Sequence, residues 1–348
     1  MHSLQGGKVI KKSMISYFYS AFAFSFLGIA ISFYFGGLPA ALTVAFLTIL
    51  ETSLSFDNAV VNAGILNNWN ELWKQRFITW GMIIAVFGVR VLFPMIIVSV
   101  AGNIGPIETI QIAIYSPSEY GRILSSAHHQ IAAFGATFLL MVFLNFFISA
   151  KKTVHWIKFI ENPLSKLGKV HAIGSAVTMF LLLTFSAMLN EDLRLEFIVA
   201  GIWGIIVFII THGLGTLLGG DREEEFVKHG APGFIYLELI DASFSFDGVV
   251  GAFALTNNLL YIVLGLGAGA MFVRSFTLLM VNNHTLVRYR YLEHGAFWAI
   301  GALAVFMFIG AGRHVPEAVT GLCGAALIAA AFVSSVLANK KESQPTES

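Results

Sequence analysis

A short acidic motif occurs twice in this chain, each time inside an apolar run long enough to cross a bilayer. Ser53-Leu-Ser-Phe-Asp57 returns as Ser243-Phe-Ser-Phe-Asp247, and the offset of 190 holds without a gap to Asn67-Asn68 and Asn257-Asn258. At that offset Glu51 falls on Asp241, and Glu238 adds a fifth carboxylate three residues upstream. Carboxylates at membrane depth are costly to desolvate and mark ion or substrate paths by default. A chain that keeps five of them in two matching places is expected to fold as two related halves around a shared polar centre.

The class follows from composition. Of 348 residues, 57% are hydrophobic and 12% charged, against about 25% charged in soluble domains. Apolar segments of about 20 residues recur along the whole chain, so the reading is an all-α polytopic membrane helix bundle. The lipid bilayer is then a partner, while a net charge of +1 gives no reason to expect nucleic acid. The lone Cys323 excludes an intramolecular disulfide and a thiolate-cluster metal site. No phosphate-binding Walker A sequence occurs, so ATP hydrolysis by that route is excluded. Lys8, Lys11 and Lys12 precede an apolar run over 14–34. It is longer than the 7–15 residues of a signal-peptide core, and reads as a retained first helix.

Ten spans are expected, at 14–35, 40–66, 76–100, 130–149, 172–189, 196–218, 232–256, 259–281, 295–311 and 316–338. They form one transmembrane domain, with repeat 1 at about 38–150 and repeat 2 at about 231–338. Segment 101–129 carries an apolar piece too short to span, which reads as interfacial, re-entrant or a loop. Segment 151–171 is a basic connector, 221–225 an acidic solvated loop, and 340–348 a polar tail. With the N-terminus inside, sixteen Lys and Arg fall in inner segments and three in outer loops. This bias puts both termini in the cytoplasm. The two motif helices are five spans apart, so they run in opposite directions, as in inverted-repeat secondary transporters. Gly81 and Arg90 match Gly265 and Arg274 at an offset of 184, and His129 resembles His294 more weakly.

The motifs offer hard oxygen ligands. Glu51, Asp57, Asn58, Glu238, Asp241 and Asp247 are candidate metal ligands, with Ser55 and Ser245 as hydroxyls. Such a set suits Mn, Mg or Ca better than a soft zinc or copper site. Five carboxylates against Arg90 and Arg274 leave a formal −3, which calls for a cation or bound protons. Glu51 and Asp57 are six residues apart, as are Asp241 and Asp247. On a regular helix that is roughly 9 Å of rise and 120° of rotation. Either the helices break near the motifs, with Gly248 favouring a break in the second, or the ligands form two layers. The three acids and Gly248 of the second motif suggest an ion held more by 232–256 than by 40–66. Structural alternatives stand beside these readings. Carboxylate–arginine pairs such as Glu51 with Arg274, or Asp247 with Arg90, would tie helices together. His212 reads as a packing residue or a functional group. His128, His129, His284 and His294 lie near helix ends as interfacial residues, proton relays or vestibule ligands.

The motifs Glu51-Thr-Ser-Leu-Ser-Phe-Asp57-Asn58 and Glu238-Leu-Ile-Asp241-Ala-Ser-Phe-Ser-Phe-Asp247, with the Gly81–Arg90 and Gly265–Arg274 helices, resemble the TerC (tellurium-resistance C) family within the LysE-like transporters. This chain looks like a longer, divergent branch of it. The resemblance covers roughly 40–100 and 232–310. It implies handling of metal ions, chiefly manganese efflux, with the motif acids as ligands, in a bacterial inner (plasma) membrane. The expected function is a secondary transporter exporting a divalent cation as its substrate, with protons as counter-ion and no resident cofactor. Three rivals remain at this point. One is an exporter of a small organic cation or amino acid, which needs a larger aromatic-lined cavity. Another is an intramembrane enzyme with Asp57 and Asp247 as a dyad, and the third a metal-binding accessory protein.

Overall fold

In the computed structural model the described residues are 14–67, 69–149, 154–168, 170, 172–219, 230–313 and 315–343. Within helices, the side chains of 213–219, Phe246, Asp247, Ala254, Glu317 and 341–343 are not described. The basic N-terminal segment, the acidic 221–225 loop and the tail beyond 343 lie outside the described residues. Those described are helical apart from short connections, and no strand occurs among them.

The chain opens with α1, Tyr19–Leu54, a 36-residue rod bent at Gly37. Gly37 sits at φ 66°, ψ −159°, a conformation that only glycine adopts without strain. The expected tight turn at 36–39 is therefore this bend. At Ser55 the helix breaks (φ −99°, ψ 20°) and α2, Phe56–Leu66, begins. Next comes a continuous rod made of α3, Glu71–Arg76, π-helical stretches at Phe77–Gly81 and Ile84–Leu92, and α4, Phe93–Ala101. The wide turns lead into Pro94, whose ring would strike the carbonyl of residue 90 in a regular helix. Segment 101–129 is not a loop but two short helices, α5 (Pro106–Tyr115) and α6 (Pro117–Ser126). α6 buries Tyr120 and Leu124 and exposes Glu119 and Arg122. Their ion pair, 2.7 Å, holds the Glu119 carboxyl below its usual range.

Three apolar helices follow in α7 (His128–Ile148), α9 (Ile173–Ser186) and α10 (Glu191–Gly219). Between the first two, α8 (Lys158–Leu167) gives the basic connector a fold. It is pinned by Glu161, fully buried, which accepts from the Trp156 and Ile157 amides at 2.9 and 3.2 Å and from Trp298 Nε1 at 3.1 Å. The second half holds α11 (Gly230–Leu255), α12 (Leu259–Asn282), α13 (Thr285–Arg288), α14 (Leu292–Gly310) and α15 (Glu317–Ser343).

Seven of the described helices are long and apolar enough to cross a membrane. They make the protein an integral membrane protein with an all-α polytopic bundle. Where these depart from the ten expected spans the reason is physical. The first expected span and the start of the second are one bent rod. The expected span 172–189 shortens to the 14 residues of α9, about 21 Å of helix, against a hydrocarbon core of about 30 Å. α11 is long enough at 26 residues, but Glu238, Asp241 and Asp247 lower its apolarity.

Candidate functional site

The first motif is split by the break at Ser55. Glu51 ends α1 and Asp57 and Asn58 start α2, so the six-residue spacing is resolved by a broken helix in the first half. The second half differs. α11 runs unbroken through Gly248, against the expectation of a break there. Gly248 serves another purpose, since a Cβ on it would lie 2.9 Å from Glu51 Oε2. It makes room for the acid of the other repeat.

Helix packing brings the two motifs together. α1 lies along α12, where Gly265 and Gly269 form a Gly-x-x-x-Gly face. Small residues at this spacing let two backbones approach. A Cβ on Gly265 would meet Leu47 Cβ at 2.6 Å, and one on Gly269 would meet Glu51 Cβ and Cγ at 2.5 Å. Thr48 Oγ1 donates across this contact to the Gly265 carbonyl at 3.1 Å. Glu51 is thereby pressed into the centre of the molecule with 3% of its surface exposed.

Arg90 Nη2 donates to Glu51 Oε1 at 2.5 Å, and Arg90 Nη1 to the Ala85 carbonyl, also at 2.5 Å. Arg274 lies 3.6 Å from Glu238 Oε1. It donates to the Phe77 carbonyl at 2.6 Å, and its guanidinium sits 3.9 Å above the Phe77 ring. Each arginine thus uses a carbonyl of a π-helical stretch, where a carbonyl oxygen keeps a second lone pair for an incoming donor. Gly81 has no side chain at the point where Glu238 and Arg274 pass it, and a Cβ there would collide with both. The pairs are therefore Glu51 with Arg90 and Glu238 with Arg274, not the Glu51–Arg274 pair that the sequence offered as a structural alternative. The Asp247 side chain lies outside the described residues.

Asn58 Nδ2 donates to Asp241 Oδ1 in a short hydrogen bond, which joins the first motif directly to the second. Beside it lies a cavity lined by Glu51, Ser55, Asn58, Asn62, Arg90, Asp241 and Arg274 with Ala85, Ala270 and Val273. Its free volume is about 10 Å³, close to the least that admits one water. Asn58 Oδ1 and Asn62 Oδ1, one turn apart on α2, are buried and accept no hydrogen bond. Two unpartnered amide oxygens beside two carboxylates form an oxygen donor set that suits a hard cation or an ordered water.

The site is narrower than the sequence implied. Asp57 is buried but not in the cavity. Its Oδ1 accepts from the Asn58 amide at 2.9 Å, and its Oδ2 would lie 3.1 Å from a Cβ on Gly324 of α15. Glu238 turns toward Gly81 and Arg274, and Ser245 is buried with its hydroxyl unpartnered, outside the lining. Among the described residues no three of His, Cys, Asp and Glu converge as a metal-binding group. Among the described side chains the first motif supplies more of the cavity than the second; the expected bias toward 232–256 rests in part on Asp247, whose side chain lies outside the described residues.

Asn62 has no counterpart in the second repeat, where the same offset reaches Ala252, so the repeat carries no mark of it. Its signal is the i, i+4 spacing from Asn58 on an apolar helix. Gly269 was missed although Gly265-x-x-x-Gly269 in an apolar helix is itself a packing signature. Of the histidines, His129 Nε2 lies 2.9 Å from Glu196 Oε2, and His294 Nε2 lies 2.9 Å from the Val154 carbonyl. His212 stacks on Phe208, with ring centroids 5.5 Å apart. These contacts hold helices and the α8 connector, away from the cavity.

No match is found among curated proteins or among solved structures. The family model of DUF475, described as a protein of unknown function, matches residues 56–342, and the chain belongs to that family.

Proposed function

We propose that the protein is a secondary transporter that exports a divalent metal cation, Mn(II) foremost, with protons moving in exchange. The observation that carries this reading is the cavity where the two acidic motifs meet, with the Asn58 and Asn62 carbonyl oxygens unpartnered beside Glu51 and Asp241. A hard cation seeks oxygen ligands of this kind, and transporter sites of this class lie where two repeats meet. Charge supports it as well. The motif acids Glu51, Asp57, Glu238 and Asp241 are buried against Arg90 and Arg274, an excess of negative charge that a divalent cation reduces. Arg90 holds Glu51 while no cation is bound. An arriving cation takes Glu51 and Asp241 as carboxylate ligands and the two Asn oxygens as neutral ones, and Arg90 keeps its Ala85 carbonyl. On release, protons or Arg90 restore the charge. The resemblance to the TerC family supports Mn(II) and the outward direction, and the Lys and Arg bias supports cytoplasmic termini in a bacterial plasma membrane.

The test is flux in liposomes. Purified full-length protein is reconstituted around a Mn-sensitive dye, and Mn(II) entry is followed with and without a pH gradient. Saturable entry that the gradient changes, and that falls to the protein-free rate in Asp241→Ala, is the expected result. A wild-type rate equal to that of empty liposomes, or an undiminished rate in Asp241→Ala, would contradict it.

A further inference from the structure

A second, larger cavity lies beside Glu238. It has a volume of about 330 Å³ and is bounded by the π-helical stretch with α4, α7 and α11. Its walls are almost wholly apolar, with Phe93, Phe134 and Phe234 among them, and Glu238 is the only ionisable side chain in the lining. Glu238 is more than nine-tenths buried, and neither of its carboxylate oxygens accepts a hydrogen bond. The nearest cation, Arg274, reaches only to 3.6 Å with Nη2, while its Nη1 donates to the Phe77 carbonyl. Leu92, Ile96 and Ile235, which also line the cavity, are half or more exposed on the apolar outer surface of the molecule. The cavity is therefore reached from the side that faces lipid.

We propose that this cavity is a binding site for an amphipathic organic cation, an aryl or alkyl ammonium that enters from the bilayer and pairs with Glu238. The volume falls within the range of about 300–1,000 Å³ of small-molecule sites, which are apolar with a few placed polar groups. An ammonium beside Glu238 supplies the close partner that Arg274 does not. Aromatic walls favour a cation again through their ring faces. A neutral or anionic ligand of the same shape gains nothing from Glu238, and an acyl chain leaves its two oxygens without a hydrogen-bond donor in an apolar site, which is costly. Arg274 lines the small cavity and lies 3.6 Å from Glu238, so a cation drawn to Glu238 changes the charge facing Glu51 and Asp241. The ligand is therefore an inhibitor or modulator of whatever crosses the small cavity. The proposal stands apart from the metal reading, since binding is measured without transport.

The test is equilibrium dialysis of the detergent-purified full chain against 4-phenylbutylammonium, and against the uncharged hydrocarbon in which carbon replaces its nitrogen. The expected result is saturable binding of one ammonium per chain and much weaker binding of the hydrocarbon. Glu238→Gln should weaken ammonium binding by about tenfold or more, the worth of one charge-assisted contact in a dry site, and Glu238→Asp should keep part of it. Helix content by circular dichroism certifies that each variant is folded. Wild-type binding no greater than to detergent alone, equal binding of the hydrocarbon, or unchanged binding in folded Glu238→Gln would each overturn the proposal.

Discussion

At the scale of single residues, Glu51 and Arg90 illustrate what a buried ion pair does and does not contribute. Both are nearly inaccessible, at 3% and 2% exposure, so each was desolvated at high cost. A buried pair is weak evidence for stability, while removing one partner strands the other. Arg90→Met is therefore expected to lower unfolding stability by about 3–5 kcal/mol. Glu51→Gln in the Arg90→Met background should recover much of that. Denaturant unfolding in detergent reads both, and equal stability of the single and double variants would show that the pair is not coupled. Glu51, Asn58 and Asp241 were legible in the sequence because an acid or amide in an apolar run has few reasons to be there. Their partners were not. Which arginine meets which acid depends on a π-helical turn and on Gly81, and neither has a signal in residue spacing.

At the scale of elements, α1 and α12 set the depth of the site. Their approach depends on Gly265 and Gly269, which leave no room for a Cβ. Gly269→Val forces α1 away from α12 and should cost about 1–3 kcal/mol as an overpacked contact. It should also reduce flux, since Glu51 moves with α1. Gly310→Ala, at a site with nothing within 4 Å of the added carbon, should stay within about 0.5 kcal/mol of wild type. Thermal unfolding of the two variants side by side checks this, and equal melting temperatures would remove the close-packing account. The six-residue spacing of the acids told that something had to give, and in the first half it did, at Ser55. In the second half the helix stays unbroken and the acids lie at different depths; Gly248 reads as a helix breaker in sequence, while its use is to admit Glu51 from another helix. Local propensity is a weak prior where tertiary contact decides.

At the scale of the whole molecule, the helical class and the duplicated motif were legible from apolar runs and an ungapped offset. The number of crossings was not, because a bent rod such as α1 and a short helix such as α9 blur the segment count. If the sixteen-to-three Lys and Arg bias orients the chain, tags at both termini should be accessible from the same, cytoplasmic face. Reporter fusions at each end read this directly, and opposite locations would overturn the even number of crossings. The proposed mechanism requires the small cavity between the motifs to hold one hard cation. Mn(II) paramagnetic resonance reads this occupancy, by titrating the ion into the purified full-length protein and following the loss of the free-ion signal. One bound Mn(II) per chain is expected, with affinity falling by about tenfold or more in Asp241→Asn and in Asn62→Ala, while Gly310→Ala binds as wild type. No bound ion in the wild type, or undiminished affinity in both cavity variants, would contradict it.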